Sequence, residues 1–481
     1  MHELEDRKAS IQAEISELRR KYNLAEDITI LQAQSDELAQ TISYKEWRER
    51  ELDKSITTIA GKLDSIFASH TEKAMTFAFD GMLSSRMLQQ AAAWESQESK
   101  KNYTALVEQL KKLPHSEKSA SELIDYLVAQ IKYYRPSYEK NAILNILLCV
   151  SQGFLTVFSG EPGTGKTSIC KILAHSLGLN MPAKMLSSAN DGINPDRFVS
   201  VSVERGWTTK RDFIGYYNPL TKTFDRSNRR IFDGLNILDI EAKGINTNLP
   251  FVILLDEANL SPMEYYWADY MNICDDLDQN STINLGDDFY YNVPANLRFL
   301  ATINNDHTTE SLSPRLIDRA WVVRLPKAKT GTAKQVRLTD DEVELVAWDA
   351  LLNIFSTSLD DAVSMSGTAK EVYDALLVKL QDAKITVSTR ADTAIRRYWS
   401  VAQKLFETDN TYGTDPTIVA LDYAIAQRIL PHISGSGKKY EEKLVAVLKL
   451  CNQKNLRHSA AILSEIIQKG EDSMLYYQYF A

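Results

Sequence analysis

The chain has 481 residues, 44% of them hydrophobic, which fits about three domains at ~150 residues each and ordinary globular cores. Its net charge is -9, from 55 Lys plus Arg against 64 Asp plus Glu, which disfavours adhesion of the whole chain to nucleic acid or acidic membranes. Its four cysteines, Cys149, Cys170, Cys274 and Cys451, form no CxxC and sit in apolar segments, as buried thiols in a reducing compartment do. The opening "MHELEDRKAS" is charged where a signal peptide would be apolar, and no apolar run reaches about 18 residues. These features point to a cytoplasmic protein with no membrane partner.

From the N-terminus, apolar residues recur in steps of three and four at Leu4, Ile11, Ile15, Leu18 and Tyr22, and again at Leu52, Ile56, Ile59, Leu63 and Ile66. This heptad seam predicts a helical, coiled-coil-like arm over residues 1–113; a bundle that packs only on itself is the alternative. A second apolar stretch around Met75, Phe77, Phe79, Met82, Leu83, Met87 and Leu88 offers a partner for the first.

After "LPHSEKSAS" the texture changes to short continuous apolar runs at Phe154 to Phe158, Phe198 to Val203, Phe251 to Leu255, Leu297 to Ile303 and Ala320 to Leu325. Such runs predict parallel strands buried on both faces, hence an α/β domain over residues 114–328. Past "PKAKTGTAKQ" the helical period returns in "DDEVELVAWDALLNIF", "DTAIRRYWSVAQKLF", "ALDYAIAQRIL" and "KKYEEKLVAVLKL". An all-helical domain over 329–481 follows.

The stretch "GEPGTGKT" satisfies G-x-x-x-x-G-K-[ST], with a predicted strand before it and a helix after it. Gly160, Glu161, Pro162, Gly163, Thr164 and Gly165 form the loop that cradles phosphate, and Ser168 continues it into the helix. Lys166 is placed to bridge β- and γ-phosphates, and Thr167 to offer its hydroxyl to Mg²⁺. In "FVILLDEANL", Asp256 at the strand end can join the magnesium shell and Glu257 can polarise water for attack on the γ-phosphate. In "LRFLATINNDHTTESLSPRLIDRAWVVRL", a strand delivers Asn304 to orient that water. Arg319, just before "AWVVRL", is remote from its own phosphate loop in the usual topology, so its expected target is a neighbouring subunit's nucleotide. Arg315, one helical turn earlier, is the reserve candidate, with a surface ion pair as its alternative.

Taken together, these motifs resemble AAA+ ATPases: a P-loop parallel-sheet core, a helical C-terminal lid and here a helical N-terminal arm. Four stretches, "GWTTKRDFIGYYNPLTKTF", "LLDEANLSPMEYYWADYMNI", "TINNDHTTESLSPRLIDRAWV" and "ALDYAIAQRILPHISGSG", are similar to the McrB-like branch, the motor subunits of modification-dependent restriction systems. The resemblance spans roughly residues 130–325 and 385–437 and leaves out the arm.

The resemblance implies nucleotide contacts from Lys166, Thr167, Asp256 and Glu257, a sensor role for Asn304, and action of Arg319 across an interface. It also implies that Arg390, in "VSTRADTAIRRYW", touches the γ-phosphate from the same chain. Implied cofactors are ATP and Mg²⁺. The loop "INNDHTTES" departs from the founding motor's Met-Asn-Thr-Ala-Asp type, which makes ATP the default and GTP the alternative.

The implied partners are further copies of the chain in a hexameric ring and a separate McrC-like nuclease subunit. An insertion at about residues 200–230 would face the pore and contact DNA through Trp207, Tyr216 and Tyr217 with Lys210, Arg211, Lys222, Arg226, Arg229 and Arg230; aromatics that anchor the insertion to its own core are the alternative. A MoxR-like remodelling chaperone and a nucleotide-gated scaffold with a target-recognising arm are the competing functions. "PD" at Pro195 and Asp196 with "EAK" at Glu241 to Lys243 mimics a nuclease signature, but both halves lie between the loop and the Asp-Glu strand and read as parts of the ATPase.

Overall fold

The computed structural model describes residues 6–18, 20–21, 50, 53–54, 56–57, 100–186, 192–218, 223–274, 281–286, 289–304, 309–325, 338–339, 343–357, 364–408 and 413–480. The chain divides into two compact units, Met1–Leu88 and Gln89–Ala481.

In the first unit, residues 6–18 are helical, and Ile11, Ile15 and Leu18 along the predicted seam are 51%, 46% and 65% exposed. The second apolar stretch, Met75 to Leu88, lies outside the described residues.

The larger unit opens with helix α1 over residues 100–110, which the sequence reading assigned to the arm. Tyr103, Leu106, Val107 and Leu110 bury their apolar stripe against Ile237, Leu249 and Leu345, so this helix packs with the nucleotide-binding half of the chain. The Tyr103 hydroxyl donates to Oδ1 of the buried Asp233 at 2.5 Å.

The core is a five-stranded parallel sheet in the order β2-β5-β8-β1-β9: β1 Leu155–Gly160, β2 Phe198–Ser202, β5 Phe251–Asp256, β8 Leu297–Asn304 and β9 Ala320–Arg324. Every residue of β1 is buried, as expected of a central strand covered on both faces. Helices α2 (Ala120–Tyr134), α3 (Lys140–Gln152), α4 (Lys166–Ser176) and α5 (Arg229–Ala242) accompany the sheet. Ser119 and Glu122 form a capping box that starts α2.

Two antiparallel hairpins interrupt the alternation. The first, β3 (Gly215–Asn218) with β4 (Thr223–Arg226), lies within the predicted insertion; the second, β6 (Ser281–Gly286) with β7 (Phe289–Val293), precedes β8. Sequence periodicity pointed to neither.

The C-terminal part is helical: α6 Trp348–Phe355, α7 Gly367–Asp382, α8 Thr389–Leu405, α9 Pro416–Arg428, α10 Lys438–Gln453 and α11 Arg457–Asp472. A short pair, β10 (Ser434–Ser436) with β11 (Tyr476–Gln478), adds an unpredicted strand contact. Helix α6 begins only at Trp348, after the extended N-cap Ala347; Glu344 before it is outside the helix and bonded to Ser116 and Lys118.

The helical part joins the core through a buried polar knot. Asn145 of α3 accepts at Oδ1 from the Tyr398 hydroxyl of α8 and from Nε2 of Gln427 in α9. The Cys149 thiol donates to Gln427 Oε1 at 2.7 Å. Each group is buried and satisfied, so each fixes the others. Among the described residues, no helix is long and apolar enough to cross a membrane.

Candidate functional site: a phosphate loop and an arginine cavity at opposite sheet edges

β1 ends at Gly160, and its register partner across the ladder is Asn304, the last residue of β8. Parallel pairing therefore brings loop and asparagine to one sheet edge, where Asp256 ends β5. This is the C-terminal edge, the usual ligand edge of open α/β sheets.

The loop turns through left-handed backbone at Gly163 and Gly165, with φ of 82° and 86°, which a side chain would strain. A Cβ on Gly163 would meet nothing within 4 Å, so the cradle is open there. No side chain caps α4 at Gly165, which leaves the first-turn N–H groups available to an anion. The buried Lys166 ammonium donates to the Gly160 and Glu161 carbonyls, each at 2.9 Å. Thr164 closes the loop onto the Glu161 carbonyl through its N–H and its hydroxyl.

Asp256 is the hub of the site. Its Oδ1 accepts from the hydroxyls of Thr167 and Thr302, both at 2.7 Å. A carboxylate and a threonine hydroxyl held together suit a hard, oxygen-seeking cation such as Mg²⁺, and the open cradle beside them suits phosphate.

Thr302 also accepts from the Glu257 N–H at 2.9 Å. This bond pins Glu257 in a left-handed conformation, φ 55° and ψ 44°, uncommon for a residue with a side chain, and its side chain is exposed. Asn304 is held by Asn259: the Asn259 amide donates to the Asn304 carbonyl at 2.8 Å, and its Oδ1 accepts from the Asn304 N–H at 3.2 Å. Sequence reasoning missed Thr302 and Asn259. The signals were a polar residue inside the apolar run "LRFLATIN" and the asparagine two places after Glu257.

The arginines lie elsewhere. Arg319 directly precedes β9, whose first residue Ala320 pairs with Leu155 at the start of β1. β1 spans six residues, so Arg319 and the loop occupy sheet edges roughly 16 Å apart at ~3.3 Å per residue. Arg319 donates from Nε to the Met271 carbonyl at 3.0 Å and from Nη1 to the Arg315 carbonyl at 3.1 Å. Arg315 is exposed on a single turn, Pro314–Ile317.

Arg390 differs from the expectation of a same-chain γ-phosphate contact. It lies at the start of α8, its Nη1 donates to Asp318 Oδ2 at 2.5 Å, and it shares a cavity with Gly153 and Phe154 before β1. The physical reason is the packing of α8 alongside α3. Glu407, just past the end of α8, meets Lys140 and Asn141 at the start of α3, so the start of α8 falls near the end of α3, at the loop-remote edge.

That cavity, about 340 Å³, is lined by Arg319, Arg390, Arg397 and Arg428. Burial pulls the Arg428 guanidinium down to about 10, although Asp318 opposes the shift, and it donates to the Ala320 and Asp318 carbonyls.

In the insertion, Trp207 packs on Tyr266 and Phe213, with centroids 5.3 and 6.3 Å apart, and Lys210 pairs with Asp269 at 3.0 Å. Arg211 lies over Tyr216, and Arg229 reaches the Gly192 carbonyl. The side chains of Tyr217 and Arg226 and the whole of Lys222 fall outside the described residues. The nuclease-like pair is structural: Glu241 forms a buried ion pair with Arg197 at 2.9 Å, Asp196 accepts from the Ala183 N–H, and Lys243 pairs with Asp239.

Residues 156–261 match the family model described as "ATPase family associated with various cellular activities (AAA)", and residues 348–476 match a domain of unknown function (DUF8727). No curated protein matches the chain. The parallel sheet, the phosphate loop and this match agree: the chain carries an AAA+ P-loop domain and is an NTP-hydrolysing enzyme.

Proposed function

We propose that the chain is a motor that hydrolyses ATP at boundaries between copies of itself arranged in a ring. The observation that carries this reading is the roughly 16 Å along β1 between the loop and Arg319. No reorientation of its side chain spans that distance, so Arg319 can act on transition-state charge only at a neighbour's nucleotide. Such a finger is worth about 10³–10⁵ in rate.

Within one site the division of labour follows the hydrogen bonds. Lys166 and the α4 N-terminus hold the phosphates, Glu257 takes the proton of the attacking water, and Asn304 orients that water. Thr167 and Asp256 would hold Mg²⁺, which would neutralise charge on the phosphate oxygens. Thr302 keeps Asp256 and the Glu257 backbone in one frame. Arg390 and Arg319 line one cavity, which supports both serving the neighbour's nucleotide.

The four stretches similar to the McrB-like branch support a defence motor that works with a separate nuclease. The state of the insertion bears on what the ring grips. Trp207 is committed to its own aromatic core and Lys210 to Asp269, which favours a protein partner at this surface over a nucleic-acid backbone and keeps the remodelling-chaperone reading in play.

Mixing experiments test the shared site. Arg319→Ala subunits titrated into wild-type protein should depress ATPase activity more steeply than their mole fraction. A loss strictly proportional to dilution would refute the shared site.

A further inference from the structure

We propose that Arg135, at the C-cap of α2, binds the phosphate chain of a nucleotide seated in its own subunit's loop. The proposal rests on the reading of residues 160–167 as the nucleotide cradle and adds to it a group from outside the motif.

The geometry is specific. A Cβ placed on Gly165 would lie 3.0 Å from Arg135 Nη2, 3.8 Å from its Cζ and 4.0 Å from its Nε, so the guanidinium edge rests on the glycine that opens α4. A side chain there would push the guanidinium back by a few tenths of an ångström, and φ of 86° independently favours glycine. The guanidinium is held from behind: Nη1 donates to the Tyr134 carbonyl at 3.2 Å, and the Tyr138 hydroxyl is a second partner. The backbone is fixed as well, by Arg135 N–H to Ile131 and Tyr138 N–H to the Arg135 carbonyl.

Charge decides between a loop prop and a ligand contact. Among the described residues Arg135 forms no ion pair, although a half-buried guanidinium is favoured when an anion is near. A planar fork of donors at the open end of α4 is suited to phosphate oxygens. Since the lid arginine Arg390 lies at the far edge of the sheet, Arg135 supplies a same-chain arginine that the lid does not.

The test is binding rather than turnover. In the full-length chain with Mg²⁺, a fluorescent ADP analogue gives the Kd directly, and inorganic tripolyphosphate competing against it gives the affinity for phosphates without base or ribose. Arg135→Ala should weaken both by about 10-fold or more, the scale of a charge-assisted hydrogen bond, with Arg135→Lys intermediate. The melting temperature without nucleotide should hold while the nucleotide-induced rise shrinks. An unchanged tripolyphosphate affinity, or a lowered ligand-free melting temperature with an undiminished nucleotide-induced rise, would overturn the proposal. Lys166→Ala is the reference: loss of binding there with none in Arg135→Ala sinks this inference alone, whereas retained binding in Lys166→Ala sinks the cradle itself.

Discussion

Arg390 donates to Asp318 at 2.5 Å, and Asp318 immediately precedes Arg319, so one carboxylate joins the lid arginine to the core's last strand. Ser388 donates to the same carboxylate, and these bonds with Arg428 nearby hold Asp318 below the ordinary carboxylate range against the cost of its burial. Asp318 is therefore ionised at neutral pH and keeps Arg390 at the loop-remote edge.

Arg390→Ala separates the two possible targets of that guanidinium. Nucleotide affinity of a dilute, dissociated subunit should stay within about twofold, because the residue lies far from its own loop. ATPase activity of the assembled protein should fall by about 10-fold or more, the scale of a lost charge-assisted bond. Affinity titrations at low and high protein concentration, together with turnover, check this. A large loss of affinity in the dissociated subunit would return Arg390 to its own nucleotide.

Thr302→Val removes one hydroxyl that serves two residues. The change is nearly isosteric, but it leaves the Glu257 N–H without its acceptor and takes one donor from Asp256. We expect a stability loss of about 1–3 kcal/mol, the cost of an unsatisfied buried polar group. Turnover should drop more than affinity, since Glu257 is misaimed while Lys166 still binds. Urea unfolding and steady-state kinetics measure the two effects.

Acid should weaken the fold through two half-buried histidines. Desolvation lowers the pKa of His432 and of His115 below 6.5, for His432 despite nearby Asp318. Each is neutral in the folded protein and gains a proton more readily when unfolded. Their contribution is intact above pH 6.5 and is lost as pH falls from there through the folded-state values. Stability from urea unfolding should decline between pH 7 and pH 5, and His432→Gln should flatten that decline.

The buried runs from Phe154, Phe198, Phe251, Leu297 and Ala320 became the five parallel strands because continuous apolar texture has few other outcomes. The loop and the Asp-Glu pair were legible for a related reason: phosphate and magnesium demand fixed residue types at fixed spacing. What stayed hidden depends on contacts distant in sequence. Helix α1 read as arm because no proline interrupts the chain before Pro114, and only its packing on Ile237 and Leu345 shows otherwise. Arg390 sits in a pattern that marks a lid helix, but its sheet edge is set by how α8 lies along α3, which no local period encodes. The hairpins β3–β4 and β6–β7 are short, and neither carries a two-residue Asn-Gly or Asp-Gly turn.

The knot of Asn145, Tyr398, Gln427 and Cys149 bears on how force leaves the molecule. Opening α8 and α9 away from α3 would strand several polar atoms in an apolar interior, a penalty that compounds with each bond broken. Core and lid are therefore locked as one stiff body. In the ring proposed above, the give would then belong at the seams between neighbouring copies, where a stroke could be handed on without melting anything inside.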